Sequence, residues 1–492
     1  MVPAVAVGQL HDPGRPTVGQ RFRSRIRGGD RRAAGGVAMT STGRPDESVL
    51  WRSVAATLEE LIIPALRPGF ERDNARQLVG LCRYAQASHD DVTDRRAEKL
   101  ATVVGPTDAE AADLPGLLGT AADLLVDAIS TPDDPVVRDR ADAVRAHLTS
   151  ILEEDIAEAA PLLETFSGHA PMDIPDDEVD VPEAPALRAW FADVLGAPVE
   201  LTASVMVGGH SRRMLSVRVT ADGVAYDLIV RIEQGGMFGT EGTSEAKVMR
   251  ALAEAGYPAP RVRWIVTDPE VLGQPFFVMD RVPGSPVIED PQVVDTYIRR
   301  LQELHQLDPA LVENGLGPVP ATPEAAISAM IDHWLGIYRD SVDVRIPLLE
   351  ESAEWLRRHL RPTGPTAIVH GDPGPGNFLH VDGEITALTD WELAHYGDPA
   401  EDWTYFGAIR ARRMHDVATW RAKFAEQADV EIDDRDWLAW EAFNQLKGAC
   451  VNLTALRIFT EGVSTTPNLL AIGTAVHLRF LNRLTEIVAT LR

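Results

Sequence analysis

The chain has 492 residues, of which 45% are hydrophobic and 25% are charged. These proportions are typical of folded globular proteins and exclude a wholly disordered chain, and the length favours two or three domains. The formal net charge of −27 excludes an extended nucleic-acid footprint, because binding to phosphate backbones depends on lysine and arginine.

The number of cysteines and the hydropathy of the chain indicate its cellular compartment. Only Cys82 and Cys450 are present, which is too few for a disulfide framework or a zinc site. No apolar run approaches the roughly 18 residues that span a bilayer, and the first residues lack the pattern of a secretory signal. We therefore predict a cytoplasmic protein without a membrane partner.

Residues 1–45 are predicted to form a disordered basic tail. Residues 1–38 are rich in glycine and proline and carry seven arginines against two aspartates, a formal charge of +5. A basic arm could also contact nucleic acid or a membrane. This one lacks periodicity and interleaved aromatic residues, which favours the disordered tail.

Residues 46–170 show helical periodicity throughout. The first pattern places Leu50, Val54, Leu58 and Leu61 on one face, and further helical patterns continue to about residue 165. Together they predict an all-α helical bundle.

Residues 171–185 hold four prolines and six acidic residues, with no lysine or arginine. Such a stretch cannot bury itself and extends by self-repulsion, which predicts an acidic linker between domains. A cut within it should release a C-terminal fragment that folds by itself.

Residues 186–283 change to a strand-rich pattern that predicts a small antiparallel lobe with one inserted helix. The predicted strands are 199–207, 214–220, 225–232, 262–266 and 276–281, and the helix is 241–256. Residues 284–492 are mostly helical, apart from a strand, loop and hairpin passage at 367–391.

A rigid loop follows the apolar run 367–369. It reads His370-Gly371-Asp372-Pro373-Gly374-Pro375-Gly376-Asn377, and its glycines and prolines exclude a helix. Asp372 can accept a proton or orient a hydroxyl, whereas Asn377 offers a neutral oxygen suited to magnesium. A hairpin after Asn377 returns Asp390 to the same end, so both residues can bind magnesium beside nucleotide phosphates.

The pattern His-x-Asp-x-x-x-x-Asn, followed thirteen residues later by Asp390, resembles the aminoglycoside phosphotransferase and choline kinase superfamily. The resemblance covers about residues 197–484. It implies a bilobal protein-kinase-like fold that binds ATP and Mg²⁺ between its lobes. In that fold Asp372 would be the catalytic base, and Asn377 and Asp390 the metal ligands.

The resemblance also implies nucleotide contacts in the small lobe. Gly208-Gly209-His210-Ser211 corresponds to the loop over the phosphates, although a Gly-Gly pair between strands is also a plain hairpin turn. Arg231 stands where kinases have a lysine paired with a glutamate, here Glu245, and a surface salt bridge is the alternative. Met279 lies in the segment that resembles the adenine-binding hinge, where an apolar strand end would look the same.

Other polar and aromatic residues of this region have structural explanations. Asp398-Pro399-Ala400-Glu401 is typical of a helix start, and His370 is predicted to anchor the loop rather than carry a proton. Trp437, Trp440 and Phe443 recur at helical spacing, which favours core packing over contact with the phosphate acceptor.

We therefore predict an α+β protein: a helical bundle followed by a kinase-like domain with a small lobe at 186–283 and a large lobe at 284–492. The predicted reaction moves the γ-phosphoryl group of ATP to a hydroxyl of a small molecule. The acceptor stays open among aminoglycosides, choline and hydroxyacyl compounds, because residues 389–395 resemble kinase-like domains fused to acyl-CoA dehydrogenases. The alternative function is an inactive, pseudokinase-like nucleotide-binding module that uses the bundle as an interaction domain.

Overall fold

The computed structural model describes eight stretches of the chain: 47–66, 69–87, 91–104, 113–165, 181–206, 212–233, 242–463 and 466–492. The predicted basic tail, residues 171–180 of the predicted linker and the segment Gly208-Gly209-His210-Ser211 lie outside the described residues. Across these eight stretches, no helix has the length and apolarity needed to cross a membrane.

The N-terminal region is helical, as the periodicity predicts. Asp113 and Asp134 cap the starts of its last two helices, since their carboxylates accept hydrogen bonds from the amides of Gly116 and Val136. The helices are α1 (Glu47–Thr57), α2 (Phe70–Ala87), α3 (Asp91–Val104), α4 (Leu114–Ser130) and α5 (Pro135–Glu164).

The small lobe is an antiparallel sheet of five strands in the order β1-β2-β3-β5-β4. This confirms the predicted antiparallel lobe with one helix inserted after the third strand. Its elements are α6 (Ala184–Leu195), β1 (Val199–Met206), β2 (Arg212–Ala221), β3 (Val224–Glu233), α7 (Gly242–Glu254), β4 (Val262–Val266) and β5 (Phe276–Asp280).

The alternation of side chains along β3 determines which of its residues lie on the side of α7. Leu228, Val230 and Ile232 belong to the core cluster that contains α6, whereas Ile229 packs with the buried residues of α7. Because successive side chains of a strand point to opposite faces, Arg231 lies on the α7 face with Ile229.

The large lobe is mainly helical and is built around α14, which is buried along most of its length. Its helices are α8 (Gln292–His305), α9 (Glu313–Leu316), α10 (Pro323–Ser341), α11 (Pro347–His359), α12 (Pro399–Thr404), α13 (Val417–Ala428), α14 (Asp434–Thr460), α15 (Asn468–Ala471) and α16 (His477–Leu491). Two short antiparallel pairs, β6 (Ala367–Val369) with β9 (His395–Gly397) and β7 (Phe378–Val381) with β8 (Glu384–Leu388), carry the predicted loop and hairpin.

The N-terminal helices pack directly on the large lobe. Buried residues of α3, α4 and α5 belong to the same continuous hydrophobic core as those of α11 and α16. Ion pairs cross the contact: Arg145 to Glu351 at 2.6 Å and Arg345 to Asp123 at 2.7 Å. The bundle and the large lobe thus share one core.

The last residues of the predicted linker already belong to the small lobe. Val181 is buried in the core cluster of α6, and α6 begins at Ala184. Glu183 also pairs with Arg213 of β2 at 2.6 Å. The small lobe therefore begins by residue 181, a few residues earlier than the predicted boundary at 186.

Candidate active site

The loop 370–377 is fixed by a buried carboxylate behind it. Asp402 accepts hydrogen bonds from the backbone amides of His370 at 2.8 Å and Gly371 at 2.9 Å, and it also contacts Nε2 of His305 at 2.9 Å. Burial opposes the ionisation of Asp402, but these partners outweigh it and hold the pKa of the carboxyl below its ordinary value. A charged Asp402 therefore holds the start of the loop.

The turn at Gly371 requires glycine. Its φ is +80°, and a Cβ at this position would collide with the carbonyl oxygen of Leu393. The buried ammonium of Lys447 donates to the Gly371 carbonyl at 2.5 Å and to Glu401 at 2.7 Å. The residue immediately before Asp372 is thereby held on both sides.

His370 takes the anchoring role that the sequence predicts. Its ring is buried, Nε2 lies 2.9 Å from the carbonyl oxygen of Thr389, and Nδ1 accepts a hydrogen bond from the amide of Asp372 at 3.3 Å. The imidazole thus links the loop to the strand that leads to Asp390.

Asp372 and Asn377 are in direct contact. The side-chain nitrogen of Asn377 donates to the carbonyl oxygen of Asp372 at 2.8 Å and to Oδ2 of its carboxylate at 2.7 Å. The other carboxylate oxygen, Oδ1, is buried and has no hydrogen bond of ordinary length to a residue in the described stretches, while the buried hydroxyl of Tyr405 interacts with the same carboxylate. Because such an oxygen is costly to leave unpaired, it is a ready acceptor for a ligand hydroxyl.

The hairpin β7–β8 brings Asn377 and Asp390 to one end. It turns at Asp382 and Gly383, both with positive φ, as in the turns that match the twist of paired strands. The amide of Thr389 donates to the carbonyl of Asn377 at 2.9 Å. Asp390 follows with a left-handed φ of 67° and a side chain that is 38% exposed.

Arg231 is buried and contacts three carboxylates. Its guanidinium contacts Glu245 at 2.6 Å, Glu392 at 3.2 Å and Asp390 at 3.4 Å. Burial opposes its charge, but the three carboxylates raise its pKa well above the ordinary value. With a side chain only 8% exposed, Arg231 does not form the surface salt bridge that was the alternative prediction.

The donor set at this end fits a magnesium ion. Three carboxylates face one guanidinium, which leaves a formal surplus of two negative charges at Arg231. The nitrogen of the Asn377 amide is used by Asp372, so its oxygen is left as an acceptor. A carboxylate oxygen from Asp390 and an amide oxygen from Asn377 are hard ligands of the kind that Mg²⁺ takes beside phosphates.

The structure describes only some of the small-lobe residues that were predicted to contact the nucleotide. Met279 lies on β5, between β3 and β4 in the sheet, paired with Ile229 and Val262, and its side chain is buried. The segment Gly208-Gly209-His210-Ser211 falls between the described residues, but the strand ends that it joins are near Arg231, because Met214 pairs with both Met206 and Arg231.

The described residues around the site include five that were not predicted from the sequence: Glu392, Asp402, Tyr405, Arg410 and Lys447. Glu392 could have been identified from the sequence, because it lies only two residues after the predicted metal ligand Asp390. Arg410 and Lys447 belong to elements that are distant from the loop in the sequence, and no local sequence pattern identifies them as site residues. The aromatic residues predicted as core, Trp437, Trp440 and Phe443, are all buried.

Comparison with known proteins finds a family match for the part of the chain that carries this site. Residues 203–443 match the phosphotransferase enzyme family. Over 171 residues the chain is 30% identical to acyl-CoA dehydrogenase family member 10 of Mus musculus, a match that covers 33% of this chain and 16% of that protein. It is also 30% identical over 189 residues to viomycin phosphotransferase of Streptomyces vinaceus, covering 33% of this chain and 61% of that enzyme.

Among solved structures, a proposed aminoglycoside phosphotransferase of Ralstonia eutropha aligns with a TM-score of 0.48 at 22% identity, over 62% of this chain and 98% of its own. The range that matches the family includes Arg231, Asp372, Asn377 and Asp390. Residues 203–443 therefore form a region similar to the phosphotransferase enzyme family.

Proposed function

We propose that the chain transfers the γ-phosphoryl group of ATP to a hydroxyl of a small molecule. The observation that carries this proposal is the carboxylate of Asp372, which Asn377 holds through Oδ2 while Oδ1 lacks a hydrogen bond of ordinary length among the described residues. Asn377 and Asp390, the proposed metal ligands, lie beside it. Phosphoryl transfer needs a group that orients the acceptor hydroxyl and a metal site next to it. Both lie within one loop and one hairpin.

The residues act as follows in this proposal. The acceptor hydroxyl donates its proton to Oδ1 of Asp372 while its oxygen bonds to the γ-phosphorus. The bond from that phosphorus to the bridging oxygen breaks, and its electron pair leaves with ADP. Asn377 orients the carboxylate of Asp372 through its amide nitrogen. Mg²⁺ bound by Asn377 and Asp390 would offset the charge of the phosphates.

The nucleotide would lie between the lobes, with its phosphates under Gly208-Gly209-His210-Ser211 and its base near Met279. Arg231 supports this site mainly through charge and position. It links β3 to α7 through Glu245 and reaches Asp390 across the cleft, so it sets the distance between the lobes at the metal ligands.

The acceptor is proposed only as a class, a small molecule with a hydroxyl group. The names of similar proteins point to different acceptors: viomycin phosphotransferase to viomycin, and the acyl-CoA dehydrogenase family members to acyl-CoA compounds. Aminoglycosides, choline-like alcohols and hydroxyacyl compounds are therefore all candidates.

The second candidate function is a nucleotide-binding module without phosphoryl transfer. The observation that favours it is that the guanidinium of Arg231 is already bound by three carboxylates, those of Glu245, Glu392 and Asp390. In this reading the cation stabilises the contact between the lobes and contributes little to chemistry.

An acceptor screen separates the two functions. The purified chain would be incubated with Mg²⁺ and ATP plus aminoglycosides, choline and ethanolamine, or hydroxy acids and their thioesters, and new phosphate esters would be detected by ³¹P NMR. An ester that forms with wild type but not with the Asp390→Ala variant supports the kinase. Binding of Mg²⁺ and ATP without any ester supports the binding module, and the absence of binding contradicts both functions.

A further inference from the structure

Arg410 lies over the loop that carries Asp372. It ends the π-helical segment Tyr405–Arg410, and its Nη2 donates to the carbonyl oxygen of Pro375 at 3.0 Å. A Cβ built on Gly374 would come within 2.6 Å of the Cβ of Arg410. The loop thus needs a glycine at 374 because the arginine stem occupies that space.

The other end of the guanidinium faces the candidate base. Nη1 of Arg410 lies 3.6 Å from Oδ1 of Asp372, beyond hydrogen-bond distance, and the side chain is 32% exposed. The nearby Asp372 carboxylate raises the pKa of Arg410, so its charge persists at any ordinary pH. Arg410 is therefore a fixed positive charge next to the oxygen expected to take the acceptor proton.

The other cations that the structure describes around this loop are already engaged. Arg231 is buried among three carboxylates. Lys447 is buried and donates to the Gly371 carbonyl and to Glu401. Arg410, in contrast, makes no hydrogen bond to a carboxylate of the described residues, and its fork is partly exposed at the site.

We propose that Arg410 is a catalytic residue that binds the transferred phosphoryl group and offsets the negative charge that develops on it. The inference rests on the proposed function. The acceptor oxygen must lie between Oδ1 of Asp372 and the γ-phosphorus, so a partly exposed guanidinium 3.6 Å from Oδ1 is within reach of the oxygens of that group. Preorganised donors at this position act on the transition state rather than on bound substrate.

Arg231 is not available for this role, because three carboxylates engage its guanidinium. The guanidinium of Arg410 suits the role because its planar fork can hold the Pro375 carbonyl through one nitrogen and phosphoryl oxygens through others. Bond making and breaking are unchanged: the proton goes to Asp372 and the electron pair leaves with ADP.

The test compares Arg410→Met and Arg410→Lys with wild type and with Arg412→Met, an exposed arginine two residues later that serves as the matched control. For each protein kcat, both KM values and the melting temperature are measured with the acceptor found in the screen. Affinity for Mg²⁺ and ADP is then measured with and without aluminium fluoride, which mimics the phosphoryl group in transfer.

Arg410→Met is expected to lower kcat about 100-fold or more, the usual effect of removing one transition-state donor. The KM for ATP should stay within about threefold, because the contact forms only during transfer. Aluminium fluoride should tighten ADP binding in wild type but not in this variant. Arg410→Lys should regain part of kcat, and Arg412→Met should match wild type.

Three outcomes would overturn the role of Arg410. One is a kcat of Arg410→Met near that of wild type. Another is that aluminium fluoride tightens ADP binding equally in wild type and Arg410→Met. The third is a loss confined to the KM of the acceptor, which would place Arg410 on an anionic group of that acceptor. In contrast, a wild-type protein that binds no Mg²⁺ and ATP, or never forms an ester, contradicts the proposed function itself.

Discussion

Asp390 joins the candidate metal site to the contact between the lobes. Its carboxylate faces Arg231 at 3.4 Å, and its left-handed backbone places it at the end of the β7–β8 hairpin beside Asn377. The remaining proposed ligand, Asn377, is neutral. Charge at the metal therefore depends on Asp390.

We expect the Asp390→Ala variant to lose nucleotide binding that depends on Mg²⁺, because the ion would lose its only proposed anionic protein ligand. Isothermal titration calorimetry with ATP, with and without Mg²⁺, measures this. Asp343→Ala, which removes an exposed carboxylate, is the matched control. If Asp390→Ala binds Mg²⁺ and ATP as tightly as wild type, the metal site lies elsewhere.

Spacing along the chain predicts only those residues of the site that are close together in the sequence, whereas Arg231 and Glu245 were predicted through the family resemblance. Asp372 and Asn377 share one loop, and a single hairpin returns Asp390, so spacing and turn chemistry are sufficient. Arg410 and Lys447 reach the same loop from the segment after α12 and from α14. Those contacts depend on how helices pack, which local patterns do not encode.

Among the elements, the small lobe was predicted more completely than the helices around it. Strands β3, β4 and β5 lie within a residue or two of their predicted bounds, because alternation and turns are local signals. The π-helical turns Tyr405–Arg410 and Ile472–Val476 were not predicted, since they widen helices without changing the apolar pattern.

Helix α16 begins with a buried histidine that should make stability depend on pH. Nδ1 of His477 lies 2.7 Å from the carbonyl oxygen of Ala449 in α14, and burial lowers the pKa of His477 to about 4. An unfolded histidine titrates near about 6.5. Between these values the unfolded chain binds more protons, so the free energy of unfolding falls as the pH drops through this window.

From pH 7 to pH 5 the contribution of His477 to stability should fall by about 2 kcal/mol. Urea unfolding of wild type and His477→Gln at both pH values measures it, because glutamine can donate to Ala449 but does not titrate. The variant should lose less stability than wild type on acidification. Equal losses in the two proteins would show that His477 is not buried in its neutral form.

At the scale of the whole molecule, the helical bundle supports the large lobe. Glu351 of α11, only 2% exposed, pairs with Arg145 of the bundle and with Arg492 at the end of α16. The apolar residues of α4 and α5 complete the same core. The independence of the C-terminal fragment therefore stays a prediction, and the shared core argues that separation has a cost in stability.

We expect a fragment of residues 181–492 to melt at a lower temperature than the full chain, because it exposes the apolar surface that the bundle covers. Differential scanning calorimetry measures this. In the full chain, Arg145→Ala should lower the melting temperature more than Arg83→Ala, since Arg83 and its partner Glu59 are both exposed. A fragment that melts like the full chain would mean that the bundle contributes nothing to the stability of the lobes.

The central claim is that the loop and hairpin around Asp372 transfer a phosphoryl group, and Asp372→Asn tests it most directly. Asparagine keeps the size of the side chain and most of its hydrogen bonds but cannot accept the proton. The measurement is ester formation and calorimetric affinity for Mg²⁺ and ATP in wild type and this variant, side by side. We predict nucleotide affinity close to wild type and phosphoryl transfer slower by about 100-fold or more, the range for removing a positioned general base. Equal rates of transfer in the two proteins would contradict the account.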